Sequence, residues 1–244
     1  MDNKIKEVFD NHVKNNYDMS NENIARKYYH SYRVMNLCSL IAKSEKYDNN
    51  DIDTCIVLGL LHDIGRFEQW KLYNTYKDLE SVDHAELGID ILFNNEKIKD
   101  FCNVVENYDE IYDSIKYHNK IKIPDNLSEH NKCLCRVLRD ADKLDIMYLI
   151  SINSIKLNEC DADFSEKIIN DFMSCKSIDI HDIKNDNDNI LMKLAFVYDL
   201  NFEYSFKFIK KYKLIDKIYE NIKNKQRFLP YIEKIKEYID SKLK

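Results

Sequence analysis

Glycine and proline are scarce in this chain, and their scarcity constrains the fold more than any other feature of the sequence. The 244 residues include only 3 Gly and 2 Pro. Proteins built from strands need these residues often, because their tight turns require special backbone angles. Apolar residues recur at the helical period along most of the chain. We therefore predict an all-α fold.

Capping residues and polar segments set approximate limits for the helices. Ser20 and Ser81 are expected as N-caps, Gly65 is expected to end a helix, and Pro230 suits the first turn of the last one. We predict loops over 66–80, with at most a short helix, and over 177–189, and helices over about 3–16, 21–46, 51–65, 81–93, 97–118, 129–158, 190–212, 214–224 and 230–242.

The charge balance argues against a nucleic-acid duplex as a partner. The formal net charge is −6, and the lysines of the C-terminal part alternate with acidic and apolar residues. An acidic chain without a basic stripe repels a phosphate backbone. No segment has the length and apolarity of a membrane span, and the N-terminal residues lack the apolar stretch of a signal peptide. We expect no membrane association.

The cysteines indicate a reducing compartment. There are seven of them, and their spacing fits neither a disulfide framework nor a zinc knuckle. Cys133 and Cys135 form a C-x-C pair rather than a C-x-x-C pair. Free thiols are typical of cytosolic proteins. We therefore predict a cytoplasmic protein with reduced cysteines.

The segment from Leu60 to Phe67 carries the strongest chemical signal, which is the pair His62–Asp63. The pair follows an apolar helix, and a carboxylate at the buried end of such a helix must be ion-paired or bind a metal. A helix C-terminus also collects partial negative charge, which favours a cation. Taken alone, however, the dipeptide is more typical of a surface pair that follows a core helix.

Three further histidines lie on apolar faces or at helix ends. His30 shares a helix face with Val34 and Leu37. His84 lies in the first turn of its helix, and His118 ends another helix. Each of them alone is more often a core residue, a solvent-facing residue or a helix-terminal residue than a metal ligand.

Asp142 is the second candidate carboxylate. Leu138 and Leu149 place it on the apolar side of its helix. Asp140 and Asp145 lie in the same segment and are rival candidates. The helical period alone does not choose among the three.

Taken together, these residues resemble the HD-domain superfamily of metal-dependent phosphohydrolases, in the branch with two added histidines. The phrases HDIGRF, DHAELG and RDADKLD are similar to those of bacterial HD-domain proteins, and the resemblance covers roughly residues 20–150. It implies a helical bundle with a phosphohydrolase core over 1–160 and additional C-terminal helices over 161–244 that pack on the core. The superfamily's ligand pattern matches, in order, His30, His62, Asp63, His84, His118 and Asp142.

The resemblance implies two metal ions. Imidazole and carboxylate ligands suit Fe, Mn, Co, Ni or Zn, and Mg is also compatible. Two such ions turn a shared water into hydroxide and stabilise the attacking and leaving oxygens, so Asp63 is assigned to catalysis as well as to metal binding. The implied ligands of one ion are His30, His62, Asp63 and Asp142, and Asp63 bridges to a second ion held by His84 and His118.

Three cations are candidates for orienting a phosphate. Arg66 occupies the place where HD-domain proteins carry Lys or Arg, and we assign it to catalysis and substrate binding. Arg33 lies one turn beyond His30 and is a candidate substrate contact. Lys143 follows Asp142 directly and is a candidate catalytic residue. Each of these cations is also compatible with a surface charge or a supporting charge.

We predict an enzyme, a phosphatase or phosphodiesterase, that cleaves a phosphomonoester or phosphodiester, with nucleotides among the candidate substrates. His118 is followed neither by a second histidine nor by the Gly-Tyr-Pro signature of cyclic-dinucleotide phosphodiesterases, which argues against that substrate. The alternative is a catalytically weak or inactive module of the same fold that binds nucleotides or signals. A complete ligand set favours the enzyme, because a relaxed site would be expected to lose ligands.

Overall fold

We describe the protein from a computed structural model that covers residues 2–101 and 108–244. The all-α prediction is confirmed, since these residues form helices and no strand. The chain divides into two compact units, Met1–Ala141 and Asp142–Lys244, which we call unit 1 and unit 2. The predicted division at residue 160 stays a prediction.

Unit 1 carries the histidines of interest. A 3-10 turn at Asp78–Glu80 precedes its fifth α-helix, and a π-helical turn at Asp90–Asn94 follows that helix. Its α-helices are α1 (Asp2–Asn16), α2 (Glu22–Ser44), α3 (Asn49–Leu61), α4 (Ile64–Tyr73), α5 (His84–Ile89), α6 (Ile98–Phe101), α7 (Tyr108–Tyr117) and the first part of α8 (Glu129–Ser151).

Helices α2 and α3 pack closely against each other. The buried residues of α3 include Val57, Leu58 and Leu60, so this helix lies inside unit 1. Gly59 permits the close approach, because an added Cβ atom would lie 2.5 Å from the Cα atom of Met35 in α2. This contact fixes the helix that carries His30 against the helix that leads to His62.

The predicted loop over 66–80, in which a short helix was allowed, contains most of α4, which ends at Tyr73. Gly65 therefore does not end a helix but lies in the first turn of α4. It serves a close backbone contact with α5, since an added Cβ atom would collide with the carbonyl oxygen of His84 and lie 2.6 Å from the backbone nitrogen of Gly88. The glycine marks helix packing here rather than a helix end.

The two predicted N-caps are also wrong. Asn21 caps α2 and Asp83 caps α5, each with a side-chain oxygen that accepts hydrogen bonds from two backbone N–H groups of the first turn. Asn and Asp cap a helix as well as Ser does. Both helices start later than predicted, so Ser20 and Ser81 do not occupy the N-cap positions. The predicted helix over 97–118 falls partly on residues 102–107, outside the described residues.

Unit 2 begins with the second part of α8, which ends at Ser151 rather than near residue 158. The predicted helix over 190–212 is broken by a 3-10 turn at Ala195–Asp199, and Pro230 lies inside the last helix rather than in its first turn. The further helices of unit 2 are α9 (Glu166–Met173), α10 (Asp186–Leu194), α11 (Glu203–Tyr212), α12 (Leu214–Asn221) and α13 (Lys225–Lys242).

The polar loop predicted over 177–189 is shorter in the structure, because α10 begins at Asp186. Asp188 is fully buried and accepts hydrogen bonds from the backbone nitrogen and the hydroxyl of Ser165, at 2.8 and 2.7 Å. Asn187 donates to the carbonyl oxygens of Cys160 and Ala162. The polar residues that suggest a surface loop therefore fasten the chain segment before α9 to the first turn of α10.

Two further expectations concern the whole chain. In the part of the chain that the structure describes, no helix combines the length and the apolarity that crossing a bilayer requires. Six cysteines of that part are free thiols, as predicted, and Cys102 lies outside it.

We expect Gly65→Ala to lower the free energy of unfolding by about 1–3 kcal/mol or more, because the new methyl group meets backbone atoms that cannot move aside. Gly88→Ala is the matched control. Its added Cβ atom would meet its neighbours at 3.6 Å, an ordinary contact, so this variant should be neutral or more stable through better helix propensity. Urea unfolding followed by circular dichroism measures both. Equal effects of the two variants would contradict the close contact at Gly65.

Candidate metal centre

The junction between α3 and α4 holds the His62–Asp63 pair. His62 is the C-cap of α3 and Asp63 directly precedes α4, and their exposed fractions are 0% and 2%. The first turn of α4 offers partial positive charge to the Asp63 carboxylate. A carboxylate at this depth also needs cations or a metal ion, because removing its charge from water costs several kcal/mol. The surface-pair interpretation of this dipeptide is therefore wrong.

The Asp63 carboxylate stands between two pairs of histidines. Its Oδ2 atom lies 3.4 Å from Nε2 of His30 and 3.5 Å from Nε2 of His62. Its Oδ1 atom lies 3.4 Å from Nε2 of His84 and 3.8 Å from Nε2 of His118. All four rings are buried. Each carboxylate oxygen thus forms, with one histidine pair, a group of three atoms that could hold a metal ion.

Backbone carbonyl groups orient two of the rings. Nδ1 of His62 lies 2.9 Å from the carbonyl oxygen of Gly59, and Nδ1 of His118 lies 2.7 Å from that of Ile115. A carbonyl oxygen can only accept, so Nδ1 of both rings must carry the proton. With the proton on Nδ1, each ring can present the lone pair of Nε2 towards Asp63, which is the tautomer that a metal ligand requires.

The contact between His84 and His118 tests whether a metal ion fits. Their Nε2 atoms lie 3.0 Å apart. Nδ1 of His84 lies 2.6 Å from Oδ2 of Asp78, so it donates its proton to that carboxylate. Both Nε2 atoms then face each other with lone pairs, which repel unless a cation stands between them and the Asp63 oxygen. The donor set therefore fits a divalent ion.

Asp78 was missed by the sequence analysis, although it lies only six residues before His84. Burial alone would raise the pKa of its carboxyl, but the hydrogen bond and charge of His84 and the charge of Arg66 hold this pKa well below its usual range. Burial and the charge of Arg66 lower the pKa of His84 in spite of Asp78. The two shifts favour an ionised Asp78 carboxylate and a His84 ring that loses its proton more readily than a free imidazole does.

Lys27 is a second residue that the sequence analysis missed. Its Nζ atom lies 2.6 Å from Oδ2 of Asp63, and its side chain is 16% exposed. Burial would raise the pKa of Asp63, but Lys27 and the surrounding histidines outweigh burial and hold that pKa well below its usual range. In the sequence, the position of Lys27 three residues before His30 could have indicated this contact, because residues i and i+3 share a helix face.

Arg66 lies next to the centre but is engaged by neighbouring residues. Its Nη1 atom donates to Oδ1 of Asp78 at 2.6 Å, to Oε1 of Gln69 at 2.8 Å and to the carbonyl oxygen of Tyr76 at 2.7 Å. Its Nε atom lies 3.6 Å from Oδ1 of Asp63. The assigned role of Arg66 in substrate binding and catalysis stays a prediction.

Arg139 of α8 supports the position of His118 within unit 1. It is 3% exposed, and its Nη1 atom donates to the carbonyl oxygens of Tyr117, His118 and Lys120. These three carbonyl groups lie at the end of α7 and directly after it, where a helix leaves backbone acceptors without intrahelical partners. A buried cation thus holds the chain segment that carries the His118 ring.

Three predicted residues are not members of the two groups that unit 1 forms around Asp63. Arg33 is half-buried on α2, one turn beyond His30. Lys143 belongs to unit 2, where its Nζ atom lies 2.8 Å from Oδ2 of Asp199. Asp142 is half-buried on α8 and is the first residue of unit 2. The roles assigned to these three residues stay predictions.

Comparison with known protein families agrees with this geometry. The family model described as HD domain matches residues 28–147. The chain contains an HD domain. The matched region includes all six predicted ligands, from His30 to Asp142. No curated protein and no solved structure matches the chain.

The HD domain and the groups around Asp63 together indicate a metal-dependent hydrolase. Members of this family are generally metal-dependent phosphohydrolases. The predicted helical architecture and the predicted family are therefore confirmed. The residues of the HD domain also include groups of histidine and aspartate that could hold a metal, as predicted.

We expect a chelator to lower the melting temperature of the metal-loaded protein. An ion held by residues of α2, α5 and the α3–α4 junction ties these elements together, so its removal costs about 2.7 kcal/mol when its concentration is 100 times the Kd. For a chain of this size the loss corresponds to a shift of about 5–10 °C. Calorimetry before and after EDTA measures it, and His62→Ala is the control that should shift less. An unchanged melting temperature after loading with Mn, Fe, Co, Ni or Zn would contradict a metal centre.

Proposed function

We propose that this protein is a metal-dependent phosphohydrolase that cleaves a phosphomonoester or phosphodiester at a centre of two divalent ions. One observation carries the proposal: the two oxygens of the buried Asp63 carboxylate each face a separate pair of histidines. A carboxylate in this position suits a bridge between two ions. A single ion would use only one of the two pairs.

The residues divide naturally between two subsites. His30, His62 and Oδ2 of Asp63 would hold one ion, and His84, His118 and Oδ1 of Asp63 would hold the other. The resemblance to HD-domain proteins adds Asp142 to the first subsite. Divalent ions bound in this way acidify water and neutralise charge on phosphoryl oxygens.

The surrounding residues suit a phosphorylated substrate. The guanidinium groups of Arg26 and Arg66 lie 6.0 and 5.9 Å from the ring centroid of Tyr76, and the ammonium group of Lys27 lies 5.6 Å from it. The chain as a whole carries a net charge of −6, so its overall field does not attract anions. Local cations must therefore attract a phosphate. Lys27 and Arg66 lie beside Asp63, and Arg26 shares the Tyr76 ring with them.

Lys27 has the clearest role in this proposal. Its ammonium group shares Oδ2 of Asp63 with His30 and His62. A dication bound at that oxygen would repel the ammonium group, which can then turn to a non-bridging phosphoryl oxygen. Because the side chain is mostly buried, such a contact would be little screened by solvent.

Hydrolysis itself tests the proposal. Protein loaded with Mn²⁺ should release p-nitrophenol from p-nitrophenyl phosphate or its bis-ester, or phosphate from a nucleotide. His62→Ala and Asp63→Ala should abolish this activity together with metal binding. His181→Ala is the matched control, because that histidine is exposed and lies in unit 2. If the loaded protein hydrolyses none of these esters, or if Asp63→Ala hydrolyses them equally fast, the proposal fails.

We expect Lys27→Met to lower kcat/KM for the phosphate ester about tenfold or more while the metal content is unchanged, because one charge-assisted contact with the phosphoryl group is lost. Lys71→Met is the control. Lys71 also lies over a tyrosine ring and near a carboxylate, but its side chain is 55% exposed and its partners are Tyr17 and Glu68. Steady-state kinetics and elemental analysis measure the two quantities. Loss of metal in Lys27→Met would instead assign this lysine to the support of Asp63.

A further inference from the structure

The His84 ring differs from the two rings that carbonyl groups orient. His62 and His118 donate from Nδ1 to backbone oxygens, whereas His84 donates to the Asp78 carboxylate at 2.6 Å. A carboxylate partner increases the electron density at the opposite ring nitrogen more than a neutral carbonyl does. Nε2 of His84 is therefore the more electron-rich of the two imidazole nitrogens that face Oδ1 of Asp63.

Asp78 itself is held by two residues of α4. Its Oδ1 atom accepts from Nη1 of Arg66 at 2.6 Å and from Nε2 of Gln69 at 2.9 Å, while Oδ2 is left to His84. Arg66 and Gln69 are three residues apart, so they project from the same side of α4. The carboxylate is thus fixed from one side and presents its other oxygen to the imidazole.

Gln69 is fully buried, and all of its hydrogen bonds serve this arrangement. Its amide nitrogen lies 2.9 Å from Oδ1 of Asp78, 2.8 Å from the hydroxyl of Ser81 and 2.9 Å from the carbonyl oxygen of Val82, so these three acceptors share its two N–H groups. Its amide oxygen accepts from Arg66 at 2.8 Å. Gln69 therefore ties the chain segment between Asp78 and Val82 to α4. That segment leads directly into His84.

Arg66 balances two carboxylates at once. Its guanidinium group reaches Oδ1 of Asp78 through Nη1 and lies 3.6 Å from Oδ1 of Asp63 through Nε. Without this charge, the carboxylates of Asp63 and Asp78, which lie beside the same histidine, would repel each other. A substrate contact by Arg66 would have to leave these bonds in place.

We propose that Asp78, held by Arg66 and Gln69, is a positioning residue that controls metal binding at the subsite of His84, His118 and Oδ1 of Asp63. This inference rests on the two-ion centre of the proposed function. Asp78 acts through the His84 ring, and Arg66 and Gln69 act through Asp78.

A competing arrangement uses the same side chains as direct ligands. Asp78, Asp83 and His84 lie close enough to one another to hold an ion themselves. However, the Asp83 carboxylate already accepts from the backbone of Ala85 and from the side chains of Asn119 and Lys120. The two arrangements predict different effects of removing the Asp83 charge. Metal binding should weaken if Asp83 is a ligand and should be unchanged if it is not.

The experiment titrates Mn²⁺ into the metal-free 244-residue chain and measures free Mn²⁺ by its paramagnetic resonance signal. Wild type should bind two ions, and His84→Ala, which lacks one ligand, should bind one ion tightly. Asp78→Asn keeps the shape but removes the charge, so we expect its second ion to bind about 10- to 100-fold more weakly. Asp83→Asn is the matched control and should bind two ions as wild type does. Asn is an equally good N-cap, and the ion pair between Asp83 and Lys120 that it removes is partly exposed.

A second variant keeps the test independent of any folding defect in Asp78→Asn. Arg66→Gln should weaken the same ion, and Asp78→Glu should restore more of the affinity than Asp78→Asn. Circular dichroism of the metal-free proteins checks that each is folded. Metal binding by folded Arg66→Gln that equals wild type would overturn the role of Arg66 in this positioning.

The outcomes separate this inference from the proposed function. Two tightly bound ions in folded Asp78→Asn would overturn the inference while the two-ion centre stands. Equal weakening in Asp78→Asn and Asp83→Asn would also overturn it, because both carboxylates would then act as ligands. A wild-type protein that binds no Mn²⁺ would overturn the two-ion centre and the inference together.

Discussion

The buried carboxylate of Asp63 is the constraint on which the rest of unit 1 depends. An anion that is 2% exposed is tolerated only if cations or metal ions replace the water that it loses. Lys27 approaches one oxygen, Arg66 approaches the other, and four histidines face both. The helices that carry these residues must therefore pack so that their charged and imidazole side chains surround the Asp63 carboxylate.

Close backbone contacts make the meeting possible. Gly59 brings α3 against α2, and Gly65 brings α4 against α5, each at a distance that a side chain would prevent. These contacts lie within a few residues of His62 and His84. Because protein interiors are close-packed and resist displacement, small residues at these points fix the ligands more firmly than loops could.

Buried hydrogen bonds then set the chemical state of each ligand. Carbonyl groups of Gly59 and Ile115 select the tautomer of His62 and His118, and Asp78 selects that of His84. Arg66 and Gln69 in turn hold Asp78. The site thus consists of atoms that could bind a metal ion and of surrounding groups that hold those atoms in the required tautomer.

Several features followed from the amino-acid sequence by itself. The scarcity of Gly and Pro determined the all-α class, and the order from His30 to Asp142 pointed to the HD domain, because helical period and motif spacing are local properties of the chain. Helix ends such as that assigned to Gly65 could not be predicted, since the packing of α4 against α5 decides them. Only the tertiary structure decided which oxygen of Asp63 faces which histidine pair and that Lys27 and Asp78 complete the surroundings. Periodicity tells which face of a helix is buried, but the charges that meet across that face depend on which distant helix packs there.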